Sequence, residues 1–284
     1  MSALIFSTGG LFVRGLDHPH AWTTVFWRSV SACTSLAALI WWRERRGSLR
    51  AVTTMGRPGW FVAAAFSASS IGMVVALSRT SVAVVLVIFS LSPLAAALMA
   101  RVIIGEYVPR CTWVAIAVTV AGVVFMVSGP SAKSSTVGVL VALVIPLSFG
   151  FGTVIIRRDA HISMAPAMFL AGAISAVISM PFANPLAVSG HDLVLLIAFG
   201  FLQLGVGLAI FSVGAARAPA SDVALLSMIE PIVGPIWVWL FMDEYPGVPA
   251  LIGGGVVFAA LAVHTVYAAA RSSTPVAGRA TMVA

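Results

Sequence analysis

The chain has 284 residues, of which 60% are hydrophobic and 9% charged, with a formal net charge of +7. A water-soluble domain carries about 25% charged residues, so this composition excludes a soluble globule and makes lipid the solvent. Lys and Arg lie in short stretches between apolar runs, so the positive charge reads as membrane topology and not as affinity for nucleic acid.

In chain order, apolar runs predict ten spans, at residues 1–14, 21–42, 59–78, 81–101, 111–128, 136–156, 165–183, 193–215, 219–241 and 249–269. Each is close to the roughly 20 apolar residues a bilayer requires and is apolar nearly all round. The first is short: Met1 to Val13 makes about 20 Å of helix against a hydrocarbon core of about 30 Å. It lacks the basic region and cleavage site of a signal peptide, and reads as short by design or as continuing upstream of Met1. The third and fourth spans are parted only by Arg79 and its neighbours. The tail 271–284, with Ser, Pro and Gly, is expected to be disordered. Cys33 and Cys111 have no CxxC spacing, so they read as packing residues and suggest neither a metal site nor a disulfide.

Basic residues set the orientation. With a cytoplasmic N-terminus, the inner loops hold Arg43, Arg45, Arg46, Arg50, Arg57, Arg101, Arg110, Arg157, Arg158, Arg217, Arg271 and Arg279. The outer loops hold only Arg14, Arg79 and Lys133, and Arg28 lies within a span. The positive-inside rule therefore places both termini in the cytoplasm.

Residues 79–129 and 217–267 align without a gap at an offset of 138, matching Arg79 with Arg217, Pro93 with Pro231, Glu106 with Glu244, Tyr107 with Tyr245 and Ala121 with Ala259. Each half holds five spans, an odd number, so the second half inserts upside down relative to the first. This is a common construction of secondary transporters, with the substrate site near the midplane. The repeats are read as 1–129 and 130–270, and the fold class as all-α integral membrane.

The run Ser92-Pro93, Gly105-Glu106-Tyr107 and Ala121-Gly122-Val123 resembles the end of an EamA-type repeat. Glu230-Pro231, Asp243-Glu244-Tyr245 and Gly253-Gly254 resemble it again, and Phe26-Trp27-Arg28 is similar to the Arg-bearing second helix of that family. The family belongs to the drug/metabolite transporter (DMT) superfamily, and the likeness covers about residues 3–268. It implies ten helices in two inverted repeats around a central cavity, and export of amino acids or similar small metabolites through a cell inner membrane. The short first helix and the lack of a second-half counterpart to Arg28 depart from the pattern.

Among individual residues Glu230 is the sharpest signal. A carboxylate in the ninth span costs several kcal/mol unless protonated, paired or wet, and Pro231 removes a backbone donor beside it. Glu230 aligns with Ser92, so the acid exists in one half only, as a site would and a scaffold would not. It is a candidate for a substrate ammonium or a coupling proton, against the alternative of a carboxyl packed between helices. Arg28 must pair or reach water, because a guanidinium does not discharge. A structural tie through backbone carbonyls weighs more here than a grip on a substrate carboxylate. Gln203, Ser92 and Ser148 lie at similar depth, with Ser69, Ser70 and Ser90, and are candidate cavity linings; a serine in a helix more often bonds its own i−4 carbonyl. Pro93, Pro231 and Pro146 are candidate hinges. The duplicated Glu106 and Glu244 read as architecture, complementing the dipoles of the helices they precede. Trp237 and Trp239 read as packing ahead of ligand stacking.

The sequence carries no paired intramembrane Asp, no Gly-x-Ser-Gly, no HExxH and no GxxxxGK[ST], so an enzyme and an ATP-driven pump are not expected. The reading is a secondary transporter for a small-molecule substrate, with the lipid bilayer as its surroundings, no cofactor and no nucleic acid. A coupling proton and a homodimer are compatible with it. A channel and a non-transporting assembly protein are the alternatives.

Overall fold

A computed structural model describes residues 1–17, 20–44, 56–127, 135–159, 164–207, 210 and 229–272. Its elements are helical: α1 (Ser2–Ser7), α2 (Gly9–Arg14), α3 (Ala21–Glu44), α4 (Gly56–Arg79), α5 (Val82–Phe89), α6 (Ser92–Ile103), α7 (Arg110–Val127), α8 (Thr136–Arg158), α9 (Met164–Ser179), a 3₁₀ turn (Met180–Phe182), α10 (Gly190–Phe199), a π-helix (Gly200–Gly207), α11 (Ile229–Met242) and α12 (Val248–Ser272). The apolar runs locate the ends of most elements to within a few residues. Residues 211–228 and 273–284 lie outside the described ones, and with them the first ten residues of the expected ninth span and the tail.

Among the described residues, three spans are interrupted. The first is α1 followed by α2, with Thr8 between them. The fourth opens at Ser81, whose side chain accepts the Val84 N–H, and stops at Phe89. It restarts at Ser92 with Pro93 in its first turn, where a missing donor costs little. The Ser90 and Ser92 hydroxyls donate to the carbonyls of Val87 (2.6 Å) and Phe89 (2.5 Å), covering acceptors at the break. The eighth span begins as α10, capped by Ser189, and continues as the π-helix. By contrast α8 runs unbroken through Pro146.

Helix neighbours repeat in inverted order. The second span packs on the seventh, the fourth on the ninth and the fifth on the tenth, each meeting its own counterpart. The third-on-sixth contact is mirrored by the eighth on the first, and the second-on-eighth contact by the seventh on the third. Fourth-on-sixth is mirrored by ninth-on-first, so these contacts tie one half to the other. The fifth and tenth spans cross most closely at Gly122 and Gly253, where a Cβ on Gly253 would stand 2.6 Å from the Gly122 carbonyl oxygen. Small residues allow such backbone approach between membrane helices. Val120, Val124, Val263 and Val266, on the same two helices, are exposed, as lipid-facing side chains are.

Candidate substrate site

Arg28 sits about a third of the way along α3 with only 6% of its surface exposed. Its guanidinium donates to Ser70 Oγ on α4 (2.7 Å) and to Gln203 Oε1 on the π-helix (3.0 Å). Its flat face lies over the Phe199 ring, 4.6 Å from the centroid, a contact worth about 2 kcal/mol when desolvated. The third nitrogen, Nε, is buried and has no hydrogen-bond partner. Among the described residues no carboxylate pairs with this cation. Hydrogen bonds from a charged donor contribute about 1.5–3 kcal/mol each; two of them and a ring hold the side chain in place without neutralising it.

Gln203 is fixed from its other end. Its Nε2 donates to the Phe6 carbonyl at the break between α1 and α2 (2.8 Å). That leaves its oxygen free to face Arg28. Glycines permit the approach: a Cβ on Gly9 would stand 2.6 Å from Gln203 Nε2, and one on Gly200 would collide with the Arg28 carbonyl oxygen. The π-helix therefore brings Gly200 against the α3 backbone while its next turn carries Gln203 to the guanidinium.

One helical turn away, toward the Arg14 face of the bundle, lies a cavity of about 140 Å³. Its lining includes His20, Thr23, Thr24, Asn184, Asp192 and Leu196. Thr24 precedes Arg28 by four residues and Leu196 precedes Phe199 by three, so the same helix faces line the cavity and carry the cation. A larger apolar cavity of about 420 Å³, between the second, third, sixth and seventh spans, includes none of the candidate residues.

The family model of the EamA-like transporter family matches residues 1–128 and again 136–266. The chain belongs to that family. No curated protein sequence matches it. A solved crystal structure superposes with a TM-score of 0.63 over 96% of this chain and 96% of that one, at 19% identity, which speaks for the fold alone. Membership of the EamA-like family makes this a multi-pass membrane protein of the DMT transporter type, from a family of transporters and not of enzymes.

The other candidates in this EamA-like chain fall in different places. Glu230 is half-buried in the first turn of α11, and among the described residues no hydrogen bond or ion pair to its carboxylate occurs. The first and ninth spans run side by side, with Gly10 against Val238, Ser7 bonded to Trp237 Nε1 (3.1 Å), and the Ser7 carbonyl beside Gly234. Gln203 meets the first span at Phe6 and Gly9. In this register Glu230 lies four to seven residues below the Arg28–Gln203 level, about 6–10 Å along the axis at 1.5 Å per residue. The structure joins Arg28 with Gln203 and Ser70, and leaves Glu230 at another depth.

Ser92 bonds the Phe89 carbonyl at the end of the preceding helix α5, and Ser148 is half-buried on α8. Pro231 is buried in the first described turn of α11, Pro93 is exposed in the first turn of α6, and Pro146 lies within a continuous helix. The packing role of Trp237 is visible in its bond to Ser7 and its contact with Phe241. The roles of Phe199, Gly200 and the Phe6 carbonyl have no sequence signal, because an apolar residue or glycine in an apolar span reads as packing.

Proposed function

We propose that this protein is a secondary transporter working by alternating access, and that Arg28 holds a carboxylate of its substrate. The observation that supports it is the buried guanidinium: two neutral partners, one aromatic face, a bare Nε and, among the described residues, no carboxylate. A buried cation without an anion is costly, and a compact anion arriving from the adjacent cavity relieves that cost. Gln203 and Ser70 then hold the fork in position and would exchange part of their bonding for the carboxylate.

Glu230 serves the other end, taking an ammonium group or a coupling proton. Its separation from Arg28 favours a substrate whose amine lies several bonds from its carboxylate over one held by the two charges of an α-amino group alone. Positive-inside charge supports an outside Arg14 face and cytoplasmic termini, in a cell inner or plasma membrane. Export of amino acids or similar metabolites agrees with that frame and with the family.

The test is counterflow in proteoliposomes preloaded with unlabelled lysine, ornithine, 4-aminobutyrate or neutral amino acids, comparing wild type with Arg28→Lys and Glu230→Gln. Accumulation of a labelled carboxylate solute that falls at least tenfold in Arg28→Lys supports the reading. Accumulation that is insensitive to Arg28, or seen equally with decarboxylated analogues, overturns the carboxylate assignment.

A further inference from the structure

The two halves are joined by a pair of ion pairs that the fold places at opposite faces. At one face Arg14, the last residue of the first span, meets Glu244, which precedes the tenth, at 2.6 Å between Nε and Oε2. The Nε approach is close but off the hydrogen-bond direction, and Arg14 Nη2 donates to Glu244 Oε1 at 3.4 Å, so a long hydrogen bond accompanies the charge contact. Arg14 also donates to the Thr80 carbonyl (2.9 Å), and Glu244 accepts the Val82 N–H (3.2 Å). At the other face Arg157, near the end of the sixth span, pairs with Glu106, which precedes the fifth.

The arrangement is reciprocal. The sixth span is the first span of the second half. Each pair therefore links an Arg at the end of one half's first helix to the Glu before the other half's last helix. The backbone that presents each Glu is duplicated too. Gly105 has φ +76° and Asp243 has φ +51°, both left-handed, and they align at the same offset as the two glutamates. Such a residue ends a helix and turns the next side chain back toward the bundle. Asp is among the few non-glycine residues that tolerate this conformation.

The pairs differ in exposure: side chains of Arg14 and Glu244 are 27% and 12% exposed, those of Arg157 and Glu106 60% and 43%. Screening by water and salt is weaker at the first.

We propose that Arg14–Glu244 and Arg157–Glu106 are reciprocal gate contacts, each closing one face of the transporter by bridging its two halves. The proposal rests on the alternating-access reading and on no particular substrate. Opening the Arg14 face separates the first span from the ninth, and so separates Arg14 from Glu244. Opening the opposite face separates the sixth span from the fourth, and so Arg157 from Glu106. The more buried contact makes the Arg14 face the firmly shut one in this structure. Removing either pair biases the protein toward opening at that face, so the two removals act in opposite directions on any one reporter.

The reporter is Thr24→Cys, which lines the cavity on the Arg14 side, in a full-length background with Cys33→Ala and Cys111→Ala. Labelling by a bulky hydrophilic maleimide is followed in nanodiscs, without substrate. Glu244→Gln raises the labelling rate three- to tenfold. Glu106→Gln lowers it, and the two together return it toward the starting value. The swap of Arg14→Glu with Glu244→Arg restores slow labelling. Should Glu244→Gln melt out, Arg14→Gln takes its place, because it leaves Glu244 its bond from Val82. Shifts in the same direction at both faces, or none at either, overturn the proposal. The substrate assignment fails or survives separately, in counterflow with Arg28 variants.

Discussion

Two interfaces of this bundle are built to the same plan and filled differently. The second span meets the eighth through Arg28 and Gln203, with the guanidinium over Phe199 and its Nε bare. The seventh span meets the third, in the mirrored place, through Ser175 and Ser67, whose hydroxyls lie 2.9 Å apart. Ser175 also donates to the Ala171 carbonyl of its own helix (2.8 Å), so this bridge is neutral and satisfied from within. A hydroxyl bridge is therefore enough to seat two spans at this crossing. The arginine exceeds what packing asks for. That excess, present in one half only, is the physical ground for reading Arg28 as a substrate contact.

The difference can be broken from the largest effect to the smallest. Gly200→Leu drives a side chain into the α3 backbone at Arg28 and is expected to cost about 3 kcal/mol or more, seen as a large fall in melting temperature or loss of folded protein. Gln203→Leu removes one of the two hydrogen bonds on a buried cation and is expected to cost about 1.5–3 kcal/mol, by thermal melting in detergent. Arg28→Met removes the cation itself with similar volume, so stability stays within about 1 kcal/mol of wild type or rises, while counterflow is lost. Ser67→Ala leaves Ser175 its own-helix bond, and is expected to cost about 1 kcal/mol at most with counterflow intact. An Arg28→Met protein that melts far below Gln203→Leu would reverse the order and make the arginine structural.

The spans were legible because hydropathy alone decides what can sit in lipid, and the inverted order was legible because Pro93/Pro231 and Glu106/Glu244 recur at one offset. The breaks were less so. Ser90–Leu91 and the π-wound Gly200–Gly207 carry the same apolar pattern as an unbroken helix, and only hydrogen-bond register tells them apart. Arg28, Gln203 and Glu230 stand out as polar residues in apolar runs. Which of them meet depends on how the first span slides against the ninth, a register set by Gly10, Ser7 and Gly234 that no single-sequence period reveals. Basic-residue topology put Arg14 with Glu244 on one side and Arg157 with Glu106 on the other, yet their pairing between halves needed the fold.

The most direct measurement is a thermal-shift comparison of wild type with Arg28→Met against matched ligands: amino carboxylates, their decarboxylated amines and their amides. A ligand at 100 times its dissociation constant stabilises the folded protein by about 2.7 kcal/mol. The account predicts a rise in melting temperature with the carboxylates alone, absent in Arg28→Met. A rise that persists in Arg28→Met, or that the amines reproduce, would contradict it.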